Sequence, residues 1–429
     1  MKTIIIGAGA AGLMVAYELS RNGVEVVVLE AEDRIGGRIH TFRPQGFSQN
    51  IEAGAEFIHG NLPMTLSLMK EANLEFVTAS MNMTEFSDGK FRSAFSSEYW
   101  EEFGKAALGL EQDCTLSEFL STYFSDKKYE RLKTEAREMA QGLDLADPDR
   151  LSVFCIREEW TSSETQFRPV SGYSPLLGYL ERKIRENGGE FALGQRVASV
   201  NWKSGKVSVS TQSGRYEADS VVLTTTLGNL QQRQIQFEPK IADGYFDEIG
   251  FGEVLKIVME FETAFWEENQ PDLGFLFTDD EYTFWTQLDL RRPILVGWIG
   301  NDKASATARL QDEEITARLI SRLGEAFPES DVKSRLRASA VFRYTKDQPT
   351  SGAYSWTMPQ SLKAIEKINE GIDNTVWFAG EAFEPSGDVG TVEAALKSGY
   401  VIGNKIAEIA AAVHSKNSAV SETGDTEKL

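Results

Sequence analysis

The sequence predicts an α/β fold: a parallel-sheet domain interrupted by an inserted α+β domain of mixed sheet and helices. Three observations carry this. The chain opens as strand, glycine turn, helix, strand and acid. From about residue 82 its texture becomes helical and aromatic. Apolar strand-like runs then return and continue to about residue 379. At 429 residues the chain is well beyond the ~250–300 at which one core divides into domains.

The opening stretch organises the rest. Residues 2–6 read as a buried strand that runs into Gly7-Ala8-Gly9-Ala10-Ala11-Gly12. Leu13, Ala16 and Leu19 follow at helical spacing, and Gly23 closes the helix. A second apolar run over 24–29 ends at Glu30 and Ala31. This is the context that the dinucleotide fingerprint of a Rossmann-like domain requires. Gly7 permits the tight turn, Gly9 lets the backbone approach a pyrophosphate, and Gly12 lets helix and strand pack closely. The helix N-terminus offers free N–H groups to the phosphates. Glu30 suits the hydroxyls of an adenosine ribose and repels a 2′-phosphate. The predicted binding set here is Gly7, Gly9, Ala11, Gly12, Glu30 and Ala31. The alternative is a glycine turn that only packs a βαβ unit.

Bulk properties narrow the function. Lys and Arg number 44 against 65 Asp and Glu, a formal charge of −21. That balance disfavours nucleic acid and anionic membranes as partners and draws small cations inward. Cys114 and Cys155 form no disulfide framework, and His40, His59 and His414 are too scattered for a metal site. A strand starting at residue 2 leaves no room for a signal peptide, and no apolar run is long enough for a membrane helix. A reducing cytoplasm is the expected compartment.

Asp33-Arg34-Ile35-Gly36-Gly37-Arg38 suits a backbone pressed against a charged ligand, with Arg34 and Arg38 reaching pyrophosphate oxygens beside Gly37. Residues 51–60 again suggest close approach to something flat, through Gly54, Ala55, Glu56 and Phe57. Residues 95–142 read as mostly helical, with a capping box at Thr115-Leu116-Ser117-Glu118. A helix from Ser174 carries Leu176, Leu180 and Ile184 on one face. Strands follow over 197–202, 207–211 and 221–223, read as the nucleotide-binding domain resuming. Runs at 254–261, 275–277, 284–288 and 294–299 suggest a second, mixed sheet. Residues 312–326 form an amphipathic helix, 376–379 a buried strand, and 391–413 the last helix. The expected division is 1–81, 188–243 and 345–414 for nucleotide binding, and 82–187 with 244–344 for substrate. Residues 415–429 are expected to be a disordered tail.

Five blocks in order resemble the flavin-containing amine oxidase family, which includes monoamine oxidases, polyamine oxidases and lysine-specific demethylases. They are Gly7 to Glu30 with Arg34 to Arg38; Gly54-Ala55-Glu56-Phe57-Ile58-His59-Gly60; Gly252-Glu253-Val254-Leu255-Lys256 with Phe265-Trp266; Gly352-Ala353-Tyr354-Ser355; and Phe378-Ala379-Gly380-Glu381 with Thr391-Val392-Glu393-Ala394-Ala395. The resemblance implies a glutathione-reductase-like domain holding FAD. It implies that Lys256 holds a water against flavin N5. On the residues alone, Lys256 is an outward-facing lysine in an apolar strand. Tyr354 matches an aromatic in front of the flavin. Thr391 stands where monoamine oxidases carry a second tyrosine. Ala353 stands where they carry the cysteine that bonds flavin, so non-covalent FAD is expected. His59 matches a residue that touches substrate in some polyamine oxidases, with a structural histidine as the alternative. Glu381 resembles the acid on the ribityl chain, Gly380 precedes it, Val197 resembles the residue that pairs with adenine, and Val392 follows Thr391 in the cofactor set. Trp298 and Trp356 read as core or as pocket wall. The usual proline near residue 223 is replaced by Thr224-Thr225-Thr226.

The expected function is oxidation of a small-molecule amine with FAD and O2. Hydride passes from the amine Cα to flavin N5, the imine hydrolyses, and hydrogen peroxide forms. No acidic constellation for a second ammonium is identifiable in the sequence. Alternatives are a flavin desaturase of a carbocyclic or prenyl substrate, as in protoporphyrinogen and phytoene enzymes; an amino-acid oxidase, for which Arg343 is the available carboxylate holder; and a flavin-free escort-type binding protein.

Overall fold

The computed structural model describes residues 1–162, 164–279, 282–385 and 389–424. A five-stranded, all-parallel sheet has the order Val376–Phe378, Ser220–Leu223, Lys2–Ile6, Glu25–Leu29, Glu190–Ala192. Its central strands carry continuous apolar runs, Ile4 to Ile6, Val26 to Leu29 and Val221 to Leu223, because both faces are covered. Ile5, Val26, Val28, Val222 and Trp377 face the core under the first helix, Ala10–Arg21. Ile4, Ile6, Val27, Leu29, Val221, Leu223 and Phe378 face the opposite core. That second core is shared with a four-stranded sheet that includes Val197–Lys203 and Lys206–Thr211. The α/β class is therefore as expected, and of the three returning runs only Ser220–Leu223 joins the parallel sheet.

The second large sheet has seven strands, in the order Leu336–Tyr344, Val254–Phe261, Arg292–Gly300, Thr283–Gln287, Phe275–Thr278, Met83–Ser87, Lys90–Ser93. It is mixed because Phe275–Thr278 runs parallel to Met83–Ser87. Both outer pieces, Leu336–Tyr344 and the Met83–Ser87 hairpin, escaped the sequence reading. Polar residues such as Arg337, Ser339, Thr84 and Glu85 interrupt the continuous apolar runs by which the other strands of this sheet were read.

The helical layer comprises Trp100–Leu108, Leu116–Tyr123, Glu130–Gly142 and Val153–Thr161. It packs around Phe103, Phe119 and Phe124, and Trp356 reaches it from the far side. The Thr115–Glu118 capping box forms with both of its hydrogen bonds. The helix expected to end near residue 413 continues as Val392–Gly424, since no proline interrupts it and its glycines Gly399 and Gly403 serve close packing against the first helix. The rest of the expected tail, residues 425–429, lies outside the described residues. Among the described residues, no helix is long and apolar enough to cross a membrane.

Candidate active site

A cavity of about 960 Å³ runs from the glycine turn to the seven-stranded sheet. At its first end, Gly7 has φ of +110°, and Thr224 Oγ1 donates to the carbonyls of Ile6 and Gly7 at 2.9 and 3.1 Å. The threonine that replaces the expected proline thus clasps the turn. A Cβ on Gly12 would fall 2.1 Å from the Gly7 oxygen, so its smallness serves packing. Gly9 differs. A Cβ there would meet only the Gly36 oxygen, at 3.9 Å, and Gly9 lines the cavity. Its smallness leaves room for a ligand.

Glu30 is buried and accepts the N–H groups of Ala8 and Glu32, each at 2.8 Å. It lines the cavity with Ala11, Ala31, Gly37 and Val197. Arg34 is absent from the lining. Its guanidinium folds back onto the carbonyls of Ile35 and Gly37 and pairs with Glu32, so it buttresses the turn instead of reaching into the cavity. Arg38 does line it, donating to the Ala353 carbonyl and to Glu381 Oε1 at 2.8 Å. Glu381 Oε2 accepts from Ser355 Oγ and from the Gly390 N–H, fixing three segments around one carboxylate. Gly380, Thr391 and Val392 complete this wall at the start of the last helix. Trp356 Nε1 and Thr350 Oγ1 are buried here without a hydrogen-bond partner. Buried polar atoms are normally paired, so these two await a ligand with polar edges.

The other end is built on the strand Val254–Phe261. Leu255, Ile257 and Met259 point into one core, so period-two alternation turns Lys256 to the other side. The strand is buried along its whole length, and Lys256 is 1% exposed. It is therefore not an outward-facing lysine. Its Nζ donates to the Gly54 carbonyl at 2.9 Å and to Glu56 Oε2 at 2.8 Å. Glu56 also accepts from Trp285 Nε1 at 3.1 Å and Gln287 Nε2 at 2.9 Å, and its Oε1 lies 3.2 Å from Arg168 Nε. Burial works to raise its carboxyl pKa, but the charges of Lys256 and Arg168 outweigh it and hold the value at about 2. Glu56 thus borders the cavity as the ion-pair partner of Lys256.

Tyr354 and Trp298 form an aromatic wall, with ring centroids 6.3 Å apart and an interplanar angle of 21°. Both are anchored at their polar edges to the end of the helix Glu130–Gly142. The Tyr354 hydroxyl donates to the Leu143 carbonyl, and Trp298 Nε1 donates to the Gly142 carbonyl at 2.9 Å. The chain leaving this helix brings Asp144 to the cavity, where Trp160 Nε1 donates to it at 3.1 Å. Burial, with the nearby Glu159 charge adding, pushes the Asp144 carboxyl well above the usual range. Glu159 and Glu164 also line this end. His59 stands at the rim, exposed, with Nδ1 3.1 Å from Gln166 Oε1. Arg343 is elsewhere, bonded to the Ala308 and Leu310 carbonyls and paired with Asp312, so it holds no carboxylate in the cavity.

A family model described as flavin containing amine oxidoreductase matches residues 10–102 and 89–401. The chain belongs to this family. Polyamine oxidase 2 of Arabidopsis thaliana is 27% identical over 440 residues, covering 93% of this chain and 86% of that protein. Lysine-specific histone demethylase 2 of Homo sapiens is also 27% identical, over 88% of this chain and 50% of that protein. Cyclohexylamine oxidase from Brevibacterium oxydans IH-35A superposes with a TM-score of 0.79 at 20% identity, covering 95% of this chain and 98% of that one. Putrescine oxidase bound to putrescine also gives 0.79, at 18% identity, covering 95% of this chain and 99% of that one.

As a flavin-containing amine oxidoreductase, the chain has FAD as its cofactor, and the cradle fits it: a glycine turn with free space at Gly9, an acid at Glu30, and orphaned polar atoms at Thr350 and Trp356. Position 353 is alanine, so the FAD is bound without a thioether there. Sequence reasoning missed Arg168, Trp285 and Gln287 around Glu56, and the acids Asp144, Glu159 and Glu164. Asp144 stands in an irregular segment with no periodic signal. Arg168, in Gln166-Phe167-Arg168-Pro169, is a lone charge in a short strand-like run, and that was the available clue.

Proposed function

We propose that this flavoprotein oxidises amines carrying a second positive charge, in the overall reaction RCH2NH2 + O2 + H2O → RCHO + NH3 + H2O2. The supporting observation is that one cavity joins the dinucleotide cradle to Lys256, to the Tyr354–Trp298 wall and to the carboxylates Asp144, Glu159 and Glu164. When bound, FAD would supply the two-electron acceptor for the amine Cα–H and the route by which dioxygen is reduced to peroxide. The chain orients and charges the site. The faces of Tyr354 and Trp298 attract an alkylamine and guide its approach. Lys256, buried and charged, stabilises negative charge that develops beside it. Asp144 and the exposed Glu159 face the other end of the amine, where a cation offsets the desolvation of the Asp144 carboxylate by Coulomb attraction. These acids favour a cation over a prenyl or carbocyclic substrate.

The test is a peroxide-release screen over monoamines, diamines and polyamines, with flavin occupancy measured beforehand. Peroxide from diamines or polyamines in preference to monoamines supports the reading. A fully flavin-loaded protein that releases peroxide with none of them overturns it.

A further inference from the structure

Lys256 sits in a buried chain of alternating charge. Its ammonium meets Glu56 at 2.8 Å, Glu56 meets Arg168 at 3.2 Å, and Arg168 pairs with Asp289. All four side chains are nearly inaccessible: 1% for Lys256, 2% for Glu56, 3% for Arg168 and 5% for Asp289. A lone ammonium at this depth would be expelled or neutralised, since leaving water without a counter-charge disfavours an ion. The carboxylate that prevents this is itself immobilised. Its oxygens face Lys256, Trp285, Gln287 and Arg168, drawn from three separate strands, and the Arg168 guanidinium lies 4.6 Å from the Phe57 ring centroid. Two of the three ammonium donors are taken, by Gly54 and Glu56, and Lys256 lines the cavity, so the third N–H is available to it.

We propose that Glu56 is the positioning residue of Lys256: it holds the ammonium charged and oriented toward the cavity, and Arg168 fixes Glu56 in turn. This rests on the reading that the reactive end of FAD lies beside Lys256. The ionisable groups around the ammonium are Glu56, Arg168 and, farther off, Glu52, with the Trp285 ring centroid 5.5 Å away. Removing Glu56 leaves Lys256 and Arg168 as neighbouring like charges, which disfavours the charged lysine. Removing Arg168 leaves Glu56 to Lys256 alone, which favours it. The two substitutions therefore act in opposite directions, an outcome that a purely structural role does not produce.

The experiment uses holoenzyme whose flavin is photoreduced without oxygen, so no amine is needed, and follows reoxidation on mixing with dioxygen across pH. In Glu56→Gln, the pH above which reoxidation slows moves down by about one unit or more, a tenfold change in the charged fraction. In Arg168→Gln it moves up, and Glu56→Asp restores most of the wild-type profile. In a Lys256→Met background, Glu56→Gln adds no further slowing. The visible spectrum of the oxidised flavin, titrated with alkali, shows the same displaced midpoints. Should Glu56→Gln lose its flavin, the upward shift in Arg168→Gln still decides. The proposal is overturned by profiles that do not move, by equal slowing in both backgrounds, or by Lys256→Met reoxidising at the wild-type rate. Failure of amines to reduce the flavin bears on the proposed function alone, because photoreduction bypasses that step.

Discussion

A Cβ built on Gly9 would come no nearer to another segment of the chain than 3.9 Å, from the Gly36 carbonyl oxygen, whereas one on Gly12 would sit 2.1 Å from the Gly7 oxygen. Two glycines of one motif thus answer to different constraints, and substitution separates them. Gly9 has φ of −77° and ψ of −177°, a backbone that valine adopts without strain. Gly9→Val should leave the flavin-free protein within about 0.5 kcal/mol of wild type while projecting a side chain into the cavity. Flavin retention should fall at least tenfold. Gly12→Ala should instead destabilise the fold, by about 1–3 kcal/mol of overpacking. Thermal unfolding of stripped protein and fluorimetric FAD titration check both.

Glu52 gives a stability prediction with a definite sign. Burial raises its carboxyl pKa to about 7, against hydrogen bonds from Tyr173 and Thr41 that lower it, and its Oε2 is buried without a partner. The native state therefore binds a proton that the unfolded chain has released above about 4.5. Stability from this group is fully present below pH 4.5 and is lost as pH rises toward 7. Glu52→Gln keeps an acceptor for Tyr173 and Thr41 and removes the titration. It should match wild type near pH 4.5 and exceed it at pH 8 by up to about 3 kcal/mol. Urea unfolding at the two pH values measures this.

Asp144 should discriminate between substrates. Asp144→Asn should raise KM for a diamine about tenfold, a loss of ~1.4 kcal/mol, and leave a monoamine of equal length within about twofold. The diamine preference of wild type should grow with pH, because burial and Glu159 raise the Asp144 carboxyl and only its ionised form attracts the distal ammonium. Steady-state kinetics with the two amines across pH decide it.

Tyr354 should act through its ring. Its hydroxyl is occupied by the Leu143 carbonyl, so Tyr354→Phe should cost about 1 kcal/mol of stability and leave turnover within a few-fold. Tyr354→Leu removes the ring that stacks on Trp298 and should lower kcat/KM by tenfold or more, about 1.4 kcal/mol.

How much of this was legible in the chain depends on range. The glycine turn, Glu30 and the first helix are local, and strand-turn-helix chemistry writes them into consecutive residues. The Thr115–Glu118 box and the helix Asp312–Ala326 were legible for the same reason. Lys256 was placed by resemblance, since alternation sets Lys256 and Glu260 on one face of the strand but does not say that this face is covered. Its partner Glu56 is 200 residues away, and Arg168 reaches the pair from a three-residue strand. Such pairing follows from tertiary contact, and single-sequence patterns do not encode it. Asp144 shows the same limit: its place on the cavity wall follows from where the helix Glu130–Gly142 ends against Trp298 and Tyr354.

The most direct measurement is an anaerobic titration of the purified flavoprotein with a diamine, an equal-length monoamine and a neutral carbocycle, followed by visible absorbance. The account predicts that the amines bleach the flavin, the diamine at the lowest concentration, and that admitting dioxygen restores the colour with one peroxide per amine oxidised. A flavin that photoreduces normally yet is bleached by no amine would contradict it.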